Sequence, residues 1–369
     1  MPITDVLDSD GSNLQTIADT LAKAKKVVIV TGAGISTNSG IPDFRSENGL
    51  YSLIQAQSRS QSRMSGRDMF DARIWQDSLS TEVFYRFIAS FRKTVRDDIA
   101  RTTATHRFIK TMRDGGRLVR CYTQNIDGLE GRDGLNTDLA SGKGNKARFS
   151  RKAMQKPRPD GPIFPGSDMY GGCEVVQLHG DLELLRCSIC QTSREWGSAD
   201  EELMLLHGES PPCETCLGKD QDRRLRGKRG LPVGFLRPNV VLYGEEHPNA
   251  DLLSPIITHD LASAPDVLLI LGTSLQVHGL KVLVKEFAKA VHARGRGAGK
   301  VIFVNNTKPA ESAWNGIIDY WVGMDCDTWV TDMRKRRSDI WLRQGELKLP
   351  GTAVNKAGGP RTQLERAKE

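Results

Sequence analysis

Two cysteine pairs are the most specific chemical pattern in this chain. Cys187-x-x-Cys190 and Cys213-x-x-Cys216 lie in a polar segment that also contains glycine and proline. Two such pairs supply four thiolates, which is the ligand set of tetrahedral structural zinc. Four unrelated thiols are the alternative, and the regular spacing argues against it. Because four thiolates leave no open ligand position, the pattern predicts one structural zinc ion.

A histidine at the end of a short apolar run is a candidate base. His179 follows residues 174–178 and precedes Gly180. An imidazole titrates near neutrality and can take a proton from a hydroxyl group. A histidine held by hydrogen bonds in a purely structural role is the common alternative. The place of His179 at the carboxyl end of a predicted strand adds weight to catalysis.

A glycine-rich stretch, TGAGISTNSGIPDFR at 31–45, follows a run of β-branched residues. Gly32 and Gly34 permit a tight turn at which nucleotide phosphates can approach the backbone. The spacing matches neither G-x-G-x-x-G nor a P-loop, and Gly-x-Gly alone favours a turn without a ligand. The Asp-Phe-Arg sequence that ends the stretch puts an acid, an aromatic ring and a cation together. With these three residues included, a nucleotide site becomes the favoured interpretation over a turn without a ligand.

A polar tetrapeptide, Gln124-Asn125-Ile126-Asp127, follows the strand predicted over 118–123. Its two amides and its carboxylate could bind ribose hydroxyls and a carboxamide. An Asx turn that merely ends the strand explains the same residue types. Taken by itself, the tetrapeptide leaves both interpretations open.

The remaining elements must bring these residues together. Helical spacing of apolar residues predicts helices over 13–25, 81–93, 105–113 and 280–293. Short apolar runs predict strands over 26–30, 118–123, 174–178, 239–242, 266–271 and 301–305. Strands that alternate with helices predict an α/β fold with a doubly wound parallel sheet. Ligands bind such sheets beyond the carboxyl ends of the strands, where the candidate residues lie.

Composition narrows the class of protein. Hydrophobic residues make up 38% and charged residues 26% of the 369 residues, which is typical of a soluble globular protein. No apolar run approaches the length of a membrane span, and the acidic N-terminus lacks a signal core, so we expect neither insertion nor secretion. The net charge of +7 equals the seven basic residues from Lys143 to Arg158. This local basic character does not indicate a nucleic-acid-binding fold.

Together these motifs resemble the sirtuin family of NAD-dependent protein deacylases. They span about residues 10–330 in the family's order, and the ordered set is more specific than any single motif. The matching segments are GAGIS…GIPDFR (32–45), TQNIDGLE (123–130), QLHGDL (177–182), the paired cysteines, RPNVVLYGE (237–245), LGTSLQV (271–277) and VNN (304–306). The LGTSLQVHGLK stretch and the polar segment after GIPDFRS are similar to the fungal nuclear branch that acts on histones.

The resemblance implies a Rossmann-like core and a small module of zinc ribbon and helices, with NAD and acyl-lysine meeting between them. It implies His179 as the general base, with Asn125 and Asp127 as catalytic residues at the nicotinamide end. The implied cofactor-binding residues are Gly32, Ala33, Gly34, Asp43, Phe44, Arg45, Gln124, Asn125, Ile126, Asp127, Gly272, Thr273, Ser274, Asn305, Asn306, Thr307 and Cys326. The peptide is expected to add as a strand along Val233, Gly234, Phe235, Val277, His278 and Gly279.

The implied activity is NAD-dependent deacetylation of protein lysines, with NAD consumed to give nicotinamide, O-acetyl-ADP-ribose and free lysine. The expected partners are acetylated histones and chromatin, in the nucleus with a cytoplasmic pool, without a membrane; direct nucleic-acid binding stays open. Two alternatives keep the fold but change the reaction: protein ADP-ribosyl transfer and removal of long acyl chains. A third alternative is a non-catalytic, chromatin-binding module that contains NAD and zinc.

The resemblance also divides the chain. The catalytic domain is expected over 1–330, divided into a core (10–50, 115–180 and 232–330), a helical part of the small module (46–114) and a zinc part (183–231). Residues 132–172 exceed the family's pattern and are expected to form a disordered basic insertion. Residues 331–369 are expected to form a basic tail, in which RKRR at 334–337 is either a nuclear import signal or an exposed helix end.

Overall fold

The computed structural model describes residues 2–43, 68–145, 172–295 and 298–342. Its strands are β1 (Thr4–Val6), β2 (Val27–Thr31), β3 (Leu118–Thr123), β4 (Val175–Gln177), β5 (Gly180–Cys187), β6 (Ser193–Glu195), β7 (Leu236–Val240), β8 (Val267–Leu271), β9 (Lys300–Val304) and β10 (Tyr320–Val322). Its α-helices are α1 (Gly11–Lys23), α2 (Ser78–Asp97), α3 (Ala104–Asp114), α4 (Leu129–Arg132), α5 (Ala199–Leu206), α6 (Glu214–Leu225), α7 (Ala250–Ala262), α8 (His278–His292), α9 (Glu311–Trp314) and α10 (Cys326–Arg336).

Seven parallel strands form the central sheet, in the order β1-β10-β9-β8-β2-β3-β4. The inner strands β2, β3 and β8 are buried at every residue, and β2 and β8 are almost wholly Val, Ile and Leu. Strands of this composition need cover on both faces. Helices α1, α3 and α10 pack on one face, and α7 and α8 pack on the other. The predicted doubly wound α/β fold is confirmed.

A second, smaller sheet carries the cysteine pairs. Its three antiparallel strands have the order β6-β5-β7. Helices α2 and α5 pack against this sheet through Phe84, Leu205 and Leu185 in one shared hydrophobic cluster. β5 follows His179 directly and ends at Cys187, so one strand connects the candidate base to the cysteines.

Three expected boundaries of the core and the small module differ from the structure. Helix α3 lies in the predicted helical part of the small module, but Phe108 and Met112 pack into the core beside the central sheet. The core begins at β1, before residue 10, because β1 pairs with β10. β7 was expected in the central sheet, but it pairs with β5 in the small one. Apolar spacing identifies such elements without indicating which neighbours they bury their faces against.

The structure contradicts the first part of the expected insertion. Residues 132–145 are folded: Leu135 is buried, and the carbonyl of Asn136 accepts the N–H groups of Glu174 and Val175 at 2.7 and 3.0 Å. These contacts could not be predicted from the sequence, because the segment is polar and backbone hydrogen bonds require no hydrophobic pattern. The most basic part, 146–171, lies outside the described residues.

The structure also contradicts the first part of the expected tail. Helix α10 continues to Arg336, and Met333 and Ile340 are buried against the core. The guanidinium of Arg337 pairs with Asp19 at 2.6 Å and with Asp339 at 2.8 Å. The RKRR run therefore forms the end of a helix that packs on the core. Residues 343–369 lie outside the described part. Within the ranges that the structure covers, no helix has both the length and the apolar character to cross a bilayer.

Candidate functional site

A cavity of about 890 Å³ opens beside the carboxyl ends of the central strands. Doubly wound sheets bind ligands at this edge. The predicted cofactor residues that line the cavity are Ala33, Gly34, Asp43, Gln124, Asn125, Ile126, Gly272, Thr273, Ser274, Asn305, Asn306, Thr307 and Cys326. The predicted base and part of the predicted peptide site line it as well, namely His179, Val277, His278 and Gly279.

The other predicted residues lie elsewhere. Gly32 and Asp127 are not part of the cavity wall. A Cβ atom at Gly32 would meet Thr273 and Gln124, which line the cavity, whereas Asp127 accepts hydrogen bonds from Ser36 and Leu129, which do not. Phe44 and Arg45 lie outside the described residues. The structure does not bring the predicted peptide residues Val233, Gly234 and Phe235 into the cavity wall.

The turn after β2 packs directly on the end of β8. The N–H of Gly34 donates to the carbonyl of Gly272 at 2.8 Å. A Cβ atom at Gly34 would lie 2.8 Å from the Cα of Gly272, which is closer than real Cβ contacts. Gln124 Nε2 donates to Thr273 Oγ1 at 2.6 Å and fixes the neighbouring loop. Gly34 and Gly272 both line the cavity, and backbone without side chains lets a phosphate group approach closely.

We expect Gly34→Ala to weaken NAD binding by at least tenfold, because the added methyl group must push the two backbones apart. Titration calorimetry with NAD measures the change in Kd. Gly218→Ala is the matched control, since nothing lies within 4 Å of a Cβ atom at that helical position. Unchanged affinity in the Gly34 variant would contradict a phosphate role for the turn.

A buried hydrogen-bond network joins the two polar motifs. Ser36 Oγ donates to Asp127 Oδ2 at 2.7 Å, and Asn125 Nδ2 donates to Ser36 Oγ at 3.1 Å. Leu129 N donates to Asp127 Oδ1 at 3.1 Å, so the carboxylate is held at both oxygens. Asn125 Oδ1 is buried and has no hydrogen-bond partner in the described part of the chain, although Asn125 lines the cavity. A buried acceptor of this kind fits a ligand hydroxyl.

His179 is oriented by a backbone carbonyl. Its Nδ1 lies 3.0 Å from Gln124 O, and because a carbonyl only accepts, Nδ1 carries the proton. The neutral ring therefore keeps Nε2 as the basic atom. Burial lowers the pKa of His179 below its usual value, and the nearby His247 adds to the fall. The imidazole is then neutral and able to accept a proton at pH 7.

The opposite end of the cavity is formed by the loops after β9 and β10. Asn305 Nδ2 donates to Thr307 O at 3.0 Å, which folds this loop back on itself. Cys326 is buried at the start of α10, and burial raises the pKa of its thiol. Asp325 caps α10, and each of its two carboxylate oxygens lies 3.1 Å from the donor Asn38 Nδ2. This end offers amide groups and a neutral thiol, which suit an uncharged base and its ribose.

The sequence analysis missed several residues of the cavity wall. Most are apolar or small, such as Phe70, Leu253, Ile257 and Met324, and single apolar residues carry no chemical signal. His247 had a detectable signal, because it follows the RPNVVLYGE motif closely. Its Nε2 lies 3.3 Å from Gln177 O, near the end of β4.

The four cysteines meet as their spacing predicts. One sulfur from each lies within 4.8 Å of the others. The Sγ atoms of Cys187 and Cys216 are 3.7 Å apart, as are those of Cys190 and Cys213. Zinc–sulfur bonds of about 2.3 Å in a tetrahedron require about 3.8 Å between sulfurs. The cluster therefore fits one zinc ion, and all four positions are protein ligands.

The segment predicted to bind peptide lies beside this zinc cluster. A Cβ atom at Gly234 would lie 2.4 Å from Cys187 Sγ, so only glycine leaves room for the sulfur. The carbonyl of Gly234 accepts the N–H of Cys213 at 2.8 Å. Val233 and Phe235 on either side are 36% and 41% exposed, so two apolar side chains face solvent here.

Comparisons with known proteins agree with this geometry. The Sir2 family model matches residues 32–156 and 167–279. The NAD-dependent histone deacetylase HST3 of Candida albicans is 38% identical over 93% of this chain and 68% of its own length. HST3 of Saccharomyces cerevisiae is 39% identical over 98% of this chain and 76% of its own. The NAD-dependent protein deacetylase hst4 of Schizosaccharomyces pombe is 32% identical over 83% and 66%.

Solved structures show the same fold. A complex of Sir2 with a p53 peptide and NAD+ superposes with a TM-score of 0.53 at 22% identity, covering 88% of this chain and 99% of its own. The family model spans more than half of the chain, and relatives above 30% identity span most of it. This chain belongs to the Sir2 family.

Proposed function

We propose that this chain is an NAD-dependent protein-lysine deacetylase that acts on acetylated histones in the nucleus. One observation carries the proposal: the Asn125–Ser36–Asp127 network adjoins the same large cavity that the neutral base His179 lines. Membership of the Sir2 family supports the reaction class. The HST3 relatives, named as NAD-dependent histone deacetylases, support the histone substrate and the nuclear site of action.

The cavity fits NAD in its size and in the order of its groups. The backbone of the turn at Gly34 suits the pyrophosphate, and the loop at Asn305 suits the adenosine. Asn125 offers its buried Oδ1, which accepts from none of the described residues, to a hydroxyl of the nicotinamide ribose. Asp127, which follows the lining residue Ile126 and is held at both carboxylate oxygens, is the group that we assign to the carboxamide.

Bound NAD supplies the bond between nicotinamide and ribose and the ADP-ribosyl group that accepts the acetyl group. Asp127 orients the carboxamide, so the leaving group is held in one direction. Asn125 fixes a ribose hydroxyl beside it. The acetyl oxygen bonds to the ribose carbon as the bond from that carbon to nicotinamide breaks. His179 Nε2 then takes the proton of the neighbouring ribose hydroxyl, and the oxygen of that hydroxyl bonds to the acetyl carbon. The carbon–nitrogen bond to lysine breaks, the amine leaves with a proton, and one water supplies the oxygen that completes the acetyl ester. The apolar wall at Phe70, Leu253 and Ile257 keeps water from the ribose carbon until the acetyl oxygen has bonded to it.

The peptide is expected to approach between the small module and the core. Val277, His278 and Gly279 line the cavity mouth, while Val233 and Phe235 expose apolar side chains beside the zinc cluster. A peptide that adds as a strand between these segments obtains most of its affinity from backbone hydrogen bonds. Modest selectivity for the sequence around the acetyl-lysine follows.

Mass spectrometry of products distinguishes the reaction from its alternatives. The protein is incubated with NAD and one histone peptide in acetylated, long-chain acylated and unmodified forms. We expect O-acetyl-ADP-ribose and free lysine from the acetylated peptide at the highest rate. ADP-ribose attached to the peptide, or a higher rate with the long acyl chain, would replace the proposal with ADP-ribosyl transfer or long-chain deacylation.

A further inference from the structure

A second cavity, of about 420 Å³, adjoins the main one, since both have Glu245 in their walls. Its wall also includes Phe235, from the segment expected to bind peptide, and Arg186. Arg186 lies between QLHGDL (177–182) and the first cysteine, so it belongs to none of the family motifs. We call this cavity, which Arg186 and Arg237 line together, the arginine pocket.

The two arginines of the pocket are opposite each other in the small sheet. Arg186 in β5 and Arg237 in β7 are paired in the antiparallel register, so their side chains leave the sheet on the same face. Both residues are buried, with 8% and 7% of their surface exposed. Like charges in this position repel each other, and burial removes the water that would weaken the repulsion. The pair therefore needs negative charge nearby.

Glu245 supplies one negative charge, and Arg237 binds it. Arg237 Nη1 donates to Glu245 Oε1 and Nη2 donates to Oε2, both at 2.6 Å, which is a bidentate pair. Trp75 Nε1 also donates to Oε1 at 2.9 Å, and Leu242 N donates to Oε2 at 3.1 Å. A carboxylate has about four acceptor sites, and these contacts fill them. Glu245 therefore has no acceptor site left for Arg186.

Arg186 is left without an equivalent partner. Its Nη2 lies 4.0 Å from Glu245 Oε2, beyond hydrogen-bond distance, and its guanidinium donates to none of the residues that the structure describes. Glu246, which also lines the pocket, is exposed, so water and salt screen its charge. Buried charges are normally paired with an opposite charge. The arginine pocket thus holds one positive charge to which the described part of the chain binds no anion.

The zinc cluster does not supply the missing anion. Four thiolates and one zinc ion carry a net negative charge, and Cys187 follows Arg186 directly in β5. Successive residues of a strand direct their side chains to opposite faces, so these two side chains diverge. Cys187 Sγ accepts N–H groups from its own loop, those of Ile189 at 3.3 Å and Cys190 at 3.4 Å. The charge of this sulfur is therefore offset on its own side of the sheet.

We propose that the arginine pocket is a specificity site, in which Arg186 binds the carboxylate of an aspartate or glutamate in the substrate protein. A guanidinium with two N–H groups free on one side matches a carboxylate in both geometry and charge. A phosphate group carries nearly two negative charges, and the second would lie unpaired beside Glu245. Ser188 Oγ, which accepts Phe235 N at 3.2 Å, lines the pocket and has its own hydrogen to donate to the same carboxylate.

The inference rests on the proposed function, because it takes the peptide to run along Val233, Gly234 and Phe235. Phe235 is exposed to solvent and also lines the arginine pocket, so an extended peptide on this segment passes the pocket. Backbone hydrogen bonds alone give the peptide little selectivity. The arginine pocket adds a preference for an acidic residue at a fixed distance from the acetyl-lysine.

Peptide binding to the full chain tests this assignment. A labelled peptide carries one acetyl-lysine among neutral residues, and glutamate or glutamine is placed at one position at a time on either side of it. ADP-ribose fills the nucleotide site without supplying nicotinamide, so no turnover takes place, and fluorescence anisotropy gives the Kd of each peptide. At one position we expect glutamate to lower the Kd about tenfold relative to glutamine, because a charged hydrogen-bonded pair replaces a neutral contact.

Three variants show whether Arg186 is the group responsible. Arg186→Gln should make the Kd values for the glutamate and glutamine peptides equal. Arg186→Lys keeps the charge without the planar guanidinium and should retain part of the preference. Arg226→Gln is the matched control, because Arg226 is exposed just after α6 and lines neither cavity. Zinc content and thermal melting show which variants are folded, and the comparison of peptides on the wild type needs no variant.

Three results would overturn the proposal. The first is equal affinity of the wild-type protein for glutamate and glutamine at every position. The second is a preference for glutamate that persists unchanged in a folded Arg186→Gln protein. The third is tighter binding of phosphoserine than of glutamate at the preferred position, which would assign the pocket to a phosphate group. Failure of the proposed function would be seen separately, as the absence of deacetylated product from every peptide in the presence of NAD.

Discussion

Replacing His179 with alanine is expected to lower kcat/KM for NAD-dependent deacetylation by about 10²–10⁴-fold. The variant removes the imidazole that lines the cavity just after β4. Its Nδ1 is bound to the Gln124 carbonyl, so Nε2 is the atom left to accept a proton. NAD affinity should change little, because the Nδ1 contact of His179 is made to the protein's own Gln124 carbonyl. Exchange of labelled nicotinamide into NAD should persist, since the proton transfer follows departure of the nicotinamide.

His207→Ala is the matched control for this variant. His207 is exposed at the end of α5, away from the cavity wall, and its replacement should leave deacetylation unchanged. The wild-type pH profile adds a second check. Because the pKa of His179 lies below 6.5, activity should fall only below about that pH. A fully active His179→Ala variant would remove the base from the mechanism.

Replacing Cys187 with serine is expected to remove the zinc ion and unfold the small module. Zinc bound by four thiolates contributes about 10–16 kcal/mol of apparent folding free energy in small zinc domains. Cys187, Cys213 and Cys216 are buried in the hydrophobic cluster that also holds α2 and α5, so the loss should spread through the module. Activity should fall as well, because β5 runs from beside His179 to Cys187.

Metal analysis and circular dichroism measure the two parts of this effect. Cys173→Ala is the control, because Cys173 is equally buried but lies outside the zinc cluster, with its thiol donating to Val175 O at 3.0 Å. That variant should keep one zinc ion per chain and its fold. A soluble, folded and active Cys187→Ser protein without metal would show that the cluster is not a structural zinc site.

Local patterns predicted the strands that build the centre of the sheet. β2, β3 and β8 agree with the predicted runs to within a residue at either end, because buried parallel strands are unbroken apolar stretches. The neighbouring strands β1 and β10, at one side of the sheet, were missed, since three residues are too few for a periodic pattern. The zinc cluster was predictable because ligand spacing is a short-range property.

The sequence was less informative wherever distant residues meet. Nothing in the spacing indicated that β7 joins β5 or that α3 packs on the large core. The Asn125–Ser36–Asp127 network joins residues from two motifs, and each motif by itself could be explained as a simple turn without a ligand. Nor did the sequence indicate that His106 on α3 and Glu130, the last residue of the TQNIDGLE motif, are buried near Asp127, because their burial arises only when α3 and α4 pack together.

The most direct test of the account is the ratio of nicotinamide released to acetyl groups removed. Purified protein is incubated with a histone peptide containing acetyl-lysine, with and without NAD, and both products are quantified by mass spectrometry. We predict one nicotinamide for each acetyl group transferred to ADP-ribose, and no deacetylation without NAD. Deacetylation that proceeds without NAD, or the absence of nicotinamide release with every acetylated peptide tried, would contradict the proposed function.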